Sequence, residues 1–358
     1  MRMVLITPTV PHRGGIAQFG TLLALQLGQS HQLITWGFSR LYPDWLFPGS
    51  TAPDPSQHTL SHTVDTWLDG LNPFSWWRAW RTLPHVDLII WQWWTPFWLP
   101  LIWFITWQAR RRGIPTLAIC HQLIEPDAAT WQAQLAVWAM RRANAVLFLG
   151  SAPANWPTPH RTIHLPSLTG FMVTSPTKAI ARQQLHIAET TPVVLNFGFV
   201  RDYKGLDTVI HAMARSAIPY HLVIAGEWWP LRTDIRHLID QYTLSARIRI
   251  HDHYIPNEQV ATYFAAADLV VLPYRSGTVS GVAALAHQFG VPIMTSDIPS
   301  LAGSIPPIAR LPADDVQAWR QALDRFFLQP YTAIPRTVDD GWCTCIHAIN
   351  VLSHEIHP

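Results

Sequence analysis

Short apolar runs alternate with helix-period segments along most of this chain. Strands that are buried on both faces read as such runs, and the helices between them cover the two faces of a parallel sheet. The alternation therefore predicts an α/β fold with doubly wound sheets. In the first half the predicted strands are Met3–Ile6, His31–Trp36, Val86–Trp91, Thr116–Cys120 and Ala145–Leu149, and predicted helices include Ile16–Leu27 and Trp131–Arg142.

The stretch Trp156–Thr177 interrupts this alternation and has the Pro-, Thr- and Ser-rich composition of a linker. The alternation then resumes, and the break predicts two Rossmann-like domains, residues 1–165 and 166–335, that face a central cleft. Ligands of such sheets bind outside the carboxyl ends of the strands. The predicted elements of the second half are strands Pro192–Phe197, His221–Ala225, Arg247–Ile250, Asp268–Leu272 and Val291–Thr295, and helices Asp207–Ala214, Glu258–Ala266 and Val279–Phe289.

The composition excludes some classes of partner. The formal net charge is +2 and no basic stripe is interleaved with aromatic residues, so we expect no nucleic-acid partner. Charged residues make up 13% of the chain, well below the ~25% of soluble domains. A surface so poor in charge is suited to contact with something apolar.

The N-terminal sequence shows no signal peptide, and the cysteine count is the odd number 3, which together predict a reducing cytoplasm. The apolar stretch Trp91–Trp107 contains Pro96 and Pro100, so we do not expect it to span a membrane. Cys343 and Cys345 provide too few ligands for a zinc site, and no metal site or cofactor is predicted.

Three glycine-containing or basic loops follow predicted strands. Gly14 and Gly15 open the first helix, where free backbone N–H groups can bind an anion, although a tight turn also favours glycine. Arg201 and Lys204 follow the first strand of the second domain and suit a diphosphate, although a solvated loop would carry them equally well. The loop with Thr278, Ser280 and Gly281 resembles a phosphate cradle, or is an ordinary capped helix start.

A fourth candidate, His121, directly follows Thr116–Cys120, although most lone histidines are structural.

Several segments, taken in order, resemble those of retaining glycosyltransferase family 4, which has the GT-B fold. The resemblance covers roughly residues 3 to 330. It includes PHRGGIAQFG, SRLYPDWLFPG, DGLNPFSWWRAWR, IIWQWWTPFW, ICHQLIEPD, FGFVRDYKGLD, HDHYIPNEQVATYFAAADLVVLPYRS and TVSGVAALAHQFGVPIMTSDIPSL.

The resemblance implies a role for each matching residue. It places Gly14 and Gly15 against the donor's phosphates and sugar, and His121 near the reacting sugar. It makes Arg201 and Lys204 the pair that holds the donor diphosphate, with Ser280 and Gly281 at a helix end beside it and Thr278 on the same loop. It also implies that residues 336–358 cross back to the first domain.

The chain departs from the family at two points. The family's two glutamates, eight residues apart, correspond to Thr278 and Ala286 here, so both carboxylates are missing. The second glutamate binds the ribose in the family. The arginine also stands three residues before Lys204, whereas five is usual. The chain resembles a branch of the family that lacks the glutamate pair.

We therefore expect a metal-independent, hexosyltransferase-like enzyme that moves a sugar from a nucleotide-sugar donor, with retention, to a lipid-linked or glycan acceptor in cell-surface glycan or glycolipid synthesis. Two alternatives stay open. One is a catalytically silent homologue that binds a nucleotide-sugar or acts as a partner subunit, and the other is an epimerase on the same fold.

The segment Asn72–Leu83 has the aromatic and basic pattern of a helix that lies in a bilayer interface. It predicts peripheral binding to an anionic membrane surface, on the inner face of the cytoplasmic membrane. The residues expected at that surface are Trp76, Trp77, Trp80, Arg78 and Arg81. The alternatives are an unusually aromatic core and a protein interface.

Overall fold

The structure is a computed structural model that describes residues 1–43, 52–56, 63–123, 130–168, 170, 175–230, 233–277, 280–298, 301, 307–329 and 341–357. The chain divides into two compact units. The first comprises Met1–Asp54, Thr59–Gly170 and Gly341–Pro358, and the second comprises Pro55–His58 and Phe171–Asp340.

The first unit contains a parallel sheet with seven strands among the described residues, in the order β3-β2-β1-β4-β5-β6-β7. The central strands are buried along their whole length, which explains their continuous apolar sequences. The strands are β1 (Arg2–Ile6), β2 (Gln32–Arg40), β3 (Asp65–Asp69), β4 (Leu88–Trp93), β5 (Thr116–Cys120), β6 (Ala145–Leu149) and β7 (His160–Ile163).

Four helices connect these strands: α1 (Gly15–Gly28), α2 (Pro73–Thr82), α3 (Leu99–Arg111) and α4 (Thr130–Met140). Asn72 caps α2 by accepting a hydrogen bond from the N–H of Phe74 at 3.1 Å. Pro100 lies in the first turn of α3, where the missing N–H has no intrahelical partner to lose. One core cluster joins α2, α3 and α4 to the same face of the sheet.

The second unit contains a parallel sheet with six strands among the described residues, in the order β10-β9-β8-β11-β12-β13. Its strands are β8 (Val193–Phe197), β9 (His221–Ala225), β10 (Ile248–His251), β11 (Leu269–Leu272), β12 (Ile293–Ser296) and β13 (Ala309–Leu311). Its helices are α5 (Lys178–Gln184), α6 (Leu206–Ala214), α7 (Ile235–Gln241), α8 (Asn257–Ala266), α9 (Gly281–Gln288) and α10 (Val316–Leu328). Both units are thus Rossmann-like parallel α/β sheets, as the alternation predicted.

The last described helix, α11 (Trp342–Ile356), packs in the first unit against β6, β7 and α1. The indole N–H of Trp342 donates to the carbonyl of Ser167 at 2.9 Å. His31 Nε2 lies 3.0 Å from Asn350 Oδ1, and Arg161 forms an ion pair with Glu355. Residues on both sides of the second unit in the sequence therefore build the first unit.

The prediction of a linker over Trp156–Thr177 is wrong in part, because β7 lies within it and pairs with β6. This strand is at the edge of the sheet, and its residues Arg161 and Thr162 are exposed. An edge strand needs few apolar residues, so its composition resembles that of a loop.

The assignment of Trp76 and Trp80 to a membrane surface is also wrong. Their relative exposures are 7% and 3%, and both contact Phe104 of α3 in the core. They stand four residues apart and so share the helix face that packs on the sheet. Trp77 lies on the other face and is 49% exposed. None of the helices in the described part of the chain combines the length and the apolar character needed to cross a bilayer.

Candidate functional site

The second sheet changes its winding direction between β8 and β11. The chain runs outward from β8 to β9 and β10 on one side, and from β11 to β12 and β13 on the other. The carboxyl ends of β8 and β11 are therefore neighbours, and the loops that follow them diverge. Open α/β sheets bind ligands at this point.

Lys204 lies in the loop after β8, within a short 3-10 turn, and is only 8% exposed. Its Nζ lies 5.6 Å from the centre of the Tyr274 ring. Among the described residues no carboxylate pairs with this ammonium group. Burial, with repulsion from Arg201 as the second cause, lowers the pKa of Lys204 to about 7. A buried cation without an anion is costly, so the site is suited to an anionic ligand.

Arg201 stands beside Lys204 and is held by aromatic rings. Its guanidinium carbon lies 4.8 Å from the ring centre of Tyr203 and 4.7 Å from that of Trp229. It forms no ion pair with a carboxylate of the described residues. The two rings fix the planar fork of the guanidinium while its charge remains uncompensated.

Ser280 and Gly281 follow β11 and begin α9. Ser280 Oγ accepts a hydrogen bond from the N–H of Ala283 at 3.3 Å, and Ser280 is also hydrogen-bonded to the hydroxyl of Tyr274. Tyr274 thus contacts both Ser280 and Lys204, so the structure brings the two loops of the second unit together. Thr278 lies outside the described residues.

Arg275, in the loop after β11, is hydrogen-bonded to the loop after β8. Its backbone N–H donates to the carbonyl of Tyr203 at 2.7 Å, and its Nη1 donates to the carbonyl of Asp202 at 3.1 Å. Its guanidinium also pairs with Asp207 at 2.7 Å and with Asp314 at 2.6 Å. The hydrogen bond with Asp207 is the main reason that the pKa of Arg275 is raised.

Gly14 and Gly15 lie in the first unit, between β1 and α1. The first sheet changes direction between β1 and β4, so this loop also follows a strand at a switch point. Gly14 has φ 95°, a conformation that favours glycine, and Gly15 is the first residue of α1. Phe19 of α1 contacts the ring of His121, with ring centres 4.8 Å apart.

His121 follows β5 and is held by a buried polar network. Its Nε2 lies 2.5 Å from Gln92 Oε1. Gln92 Nε2 donates to Thr7 Oγ1, and Thr7 Oγ1 donates to the carbonyl of Pro8 at 2.8 Å. Because the hydroxyl proton of Thr7 is used in that bond, Thr7 accepts from the amide of Gln92, and the amide oxygen accepts from His121. The pattern assigns the proton of His121 to Nε2 and leaves Nδ1 as an acceptor.

Burial lowers the pKa of His121 to about 3, so the imidazole is neutral over the physiological range. Neutral His121 can accept a hydrogen bond from a ligand hydroxyl through Nδ1. Four residues of these sites were not predicted from the sequence, namely Gln92, Thr7, Trp229 and Arg275. The only signal for Gln92 is that it is an amide within an otherwise apolar strand.

Two short segments carry several potential metal ligands, Cys343 with Cys345 and His251-Asp252-His253. No group of three or more His, Cys, Asp or Glu within the described ranges could hold a metal ion. Cys345 is buried in α11 whereas Cys343 is exposed, so the two thiols lie on different faces of one helix. Asp252, between His251 and His253, pairs with Arg236 at 2.8 Å.

A family model matches part of the chain. Residues 177–327 match the family model described as "Glycosyl transferases group 1". No curated protein matches the sequence significantly.

Solved structures share the fold over nearly the whole chain. Sucrose-phosphate synthase of Thermosynechococcus elongatus has a TM-score of 0.69 at 19% identity, and the alignment covers 99% of this chain and 97% of that one. Anabaena HepE, solved with UDP, has a TM-score of 0.69 at 14% identity, with coverages of 99% and 98%. Starch synthase IV of Arabidopsis thaliana, bound to ADP and acarbose, has a TM-score of 0.66 at 14% identity, with coverages of 99% and 99%. At these identities the likeness establishes the GT-B type of fold.

Proposed function

We propose that this chain, whose residues 177–327 form a glycosyl transferases group 1 domain, transfers a sugar from a nucleotide-sugar donor to an acceptor with retention at the anomeric carbon. In finer terms the proposal is a hexosyl transfer that needs no metal and serves cell-surface glycan or glycolipid synthesis. The acceptor is a lipid-linked or glycan hydroxyl.

The uncompensated charge of Lys204 is the observation that carries this proposal. Its ammonium group is buried, no carboxylate of the described residues pairs with it, and the guanidinium of Arg201 stands beside it between two aromatic rings. A nucleoside diphosphate provides the negative charge that this pair lacks. Anabaena HepE has been solved with UDP and with UDP-glucose, which supports a donor of this kind.

The same pair stabilises the charge that develops during transfer. As the bond between the anomeric carbon and the diphosphate breaks, negative charge grows on the diphosphate oxygens. Two preorganised cations and the N-terminus of α9 at Ser280 and Gly281 stabilise it electrostatically. Fixed cations in this place support a reaction without a divalent ion.

His121 is proposed as the catalytic residue that contacts the transferred sugar. Its neutral imidazole, with Nδ1 as an acceptor, is suited to a sugar hydroxyl and does not repel developing positive charge on the sugar ring. Gly14 and Gly15 are proposed to lie against the donor, as the family resemblance implies.

We infer that the absence of the glutamate pair is a trait of a branch of the family. Ala286, at one of the two positions, has no carboxylate and is fully buried in the core of the second unit. The competing hypothesis is a silent homologue that binds the donor, or a partner transferase, without turnover.

Incubation with a panel of UDP-, GDP- and ADP-sugars tests the proposal, with slow donor hydrolysis as the readout of activity. We expect one donor class to bind in calorimetry and to be hydrolysed. Binding without hydrolysis, even with glycan and lipid-linked acceptors added, would support the silent homologue. Binding of no donor would refute the proposal.

Variants assign the residues. Lys204→Ala and Arg201→Ala should each weaken donor binding by about 1.5–3 kcal/mol, as expected for charge-assisted hydrogen bonds. His121→Ala should lower turnover without unfolding the chain. Arg215→Ala, which removes an exposed cation of the same unit, is the matched control and should leave affinity unchanged. Unchanged affinity in both loop variants would remove Arg201 and Lys204 from the site.

A further inference from the structure

Three consecutive helices of the first unit carry the same pair of residues, a tryptophan followed four positions later by an arginine. In each pair the guanidinium stacks on the indole ring, at 4.6 Å, 4.9 Å and 5.0 Å from the ring centre in chain order. The pairs are Trp77–Arg81 on α2, Trp107–Arg111 on α3 and Trp138–Arg142 on α4 with the residues just after it. We call the surface formed by these six residues the Trp–Arg face.

The tryptophans of this face are not part of the core. Their relative exposures are 49%, 38% and 42%. The same three helices carry further exposed aromatic side chains, with Phe74 at 82%, Trp103 at 47% and Trp131 at 57%. Trp103 and Trp107 stack with their ring centres 6.0 Å apart. So large a group of exposed rings marks an interaction surface, because scattered single apolar residues are the usual pattern.

The three helices are neighbours. Phe104 of α3 contacts Trp76 and Trp80 of α2, and Arg110 at the end of α3 donates to the carbonyl of Arg142 at 3.1 Å. In a parallel sheet each connecting helix runs opposite to the strands. The ends of α2, α3 and α4 therefore all lie near the amino ends of the strands. His121 and Gly15 follow strands, so they lie at the opposite edge, and the Trp–Arg face does not cover them.

The charge of the face has one sign. None of the three helices contains Asp or Glu. Of the described carboxylates that flank α2 in the sequence, Asp69 pairs with Arg40 at 2.8 Å and Asp87 accepts from the N–H of Arg2 at 2.7 Å. Glu125 and Asp127, which precede α4, lie outside the described residues. Arginines in a last turn also favour the helix dipole, but the dipole gives no reason for exposed tryptophans beside them.

We propose that the Trp–Arg face binds the surface of an anionic lipid bilayer. Tryptophan rings are suited to the headgroup region, where their apolar part enters the bilayer and the N–H stays hydrated. Guanidinium groups on the same rings lie at the level of the lipid phosphates. The tryptophans that we place at the bilayer are thus Trp77, Trp107 and Trp138, and not the buried Trp76 and Trp80. Binding to the bilayer does not depend on the donor, so the proposal goes beyond the proposed function.

Sedimentation with lipid vesicles tests the inference. The full chain is mixed with vesicles of phosphatidylcholine alone and with vesicles that also contain phosphatidylglycerol, at low and at high salt, without donor. We expect binding to the anionic vesicles at low salt and release at high salt. No binding to anionic vesicles at low salt, or equal binding to both compositions, would overturn the inference.

Two variants locate the contact. The first variant reverses two arginines of the face and the exposed Arg141 next to Arg142, as Arg81→Glu, Arg111→Glu and Arg141→Glu. Arg142 itself is kept because it also donates to Thr106 Oγ1 at 3.0 Å. This variant should lower the affinity for anionic vesicles about a hundredfold, from roughly a fivefold contribution per cation. The matched control reverses three exposed arginines of the second unit, Arg215, Arg249 and Arg325, and so changes the net charge equally. Equal losses in the two variants would show only a net-charge effect and would refute the face.

The second variant, Trp77→Ser with Trp107→Ser and Trp138→Ser, should also lose vesicle binding, whereas Leu328→Ser with Ile180→Ser should not. Circular dichroism and donor binding check that each variant is folded. If the tryptophan variant binds vesicles normally but changes the molar mass of the protein in light scattering, the face binds a second copy and the bilayer proposal is wrong. Because donor binding is measured separately, either proposal can fail alone.

Discussion

Gln92 Oε1 lies 2.5 Å from His121 Nε2, and this one contact decides which imidazole nitrogen carries the proton. The amide of Gln92 is oriented in turn by Thr7, which donates to the carbonyl of Pro8. Nδ1 of His121, which we propose to face the sugar, is thus an acceptor because of the hydrogen bonds that Gln92 and Thr7 make on the other side of the ring.

Replacement of this amide by a carboxylate tests the network. In Gln92→Glu we expect the pKa of His121 to rise by roughly 1–3 units, because a carboxylate beside Nε2 stabilises the imidazolium. Nδ1 then carries a proton as pH falls and no longer accepts. Transferase activity should fall with decreasing pH in the variant over a range where the wild-type rate does not change, as measured by pH–rate profiles.

Gln92→Leu is the control, because it removes the same contact without adding a charge. It should lower the rate by a factor that does not vary with pH. Identical pH profiles for the two variants would contradict the role assigned to Gln92.

Lys204→Met should change folding and binding in opposite directions. Removal of a buried cation that pairs with no carboxylate of the described residues is expected to stabilise the ligand-free protein by about 1–3 kcal/mol while it weakens donor binding. Urea unfolding and calorimetry measure the two effects. A loss of stability would mean that the ammonium group has a partner in the free protein.

The gain in stability from Lys204→Met should also depend on pH. The pKa of Lys204 is lowered to about 7 in the folded protein, whereas it is about 10.5 in an unfolded chain. Between these values the unfolded state holds more protons, so wild-type stability rises with pH. The stabilisation by Lys204→Met should therefore be full below pH 7 and should shrink toward pH 10.

Gly205→Ala should destabilise the second unit by about 2–4 kcal/mol. Gly205 has φ 64°, and a Cβ there would lie 2.0 Å from the carbonyl oxygen of Pro273. The substitution should also weaken donor binding because it pushes the loop after β11 away from Lys204. Gly28→Ala, where a Cβ would meet nothing within 4 Å, is the control and should have no such cost in thermal unfolding.

The two carboxylates on Arg275 should differ in importance. Asp207 is 19% exposed and Asp314 is 70% exposed. Asp207→Asn should cost about 1–2 kcal/mol of stability, and Asp314→Asn less than about 0.5 kcal/mol, because water screens the exposed pair. Chemical denaturation of both variants measures this order, and the reverse order would contradict it.

The sequence predicted the central strands well and missed the edge strands β3, β7 and β13, although it placed the edge strand β10 to within one residue. The bounds predicted for β5, β6 and β9 match the structure, because each is a short apolar run between turn residues. The start of β4 was predicted at Val86 and lies at Leu88, since the apolar run there has no clear limits. The edge strands β7 and β13 carry exposed polar residues, and β-strand patterns read from the sequence depend on burial.

The same limit applies to the functional residues. Helical spacing placed Trp76 and Trp80 on one face of α2, but the pattern alone could not tell whether that face meets the sheet or the solvent. Gln92 and Trp229 reach His121 and Arg201 only through the tertiary structure. By contrast, the position of the basic pair after β8 could be predicted, because the pair directly follows a clear apolar run in the sequence.

The position of α11 has a consequence for how the chain is synthesised. The indole of Trp342 closes against Ser167, and Asn350 contacts His31. The ribosome must therefore make the whole second unit before the first can receive its final helix. Until the residues after 341 emerge, the surfaces of β6, β7 and α1 that α11 covers stay open to water. During synthesis the second unit can therefore be complete while the first unit still lacks its last helix.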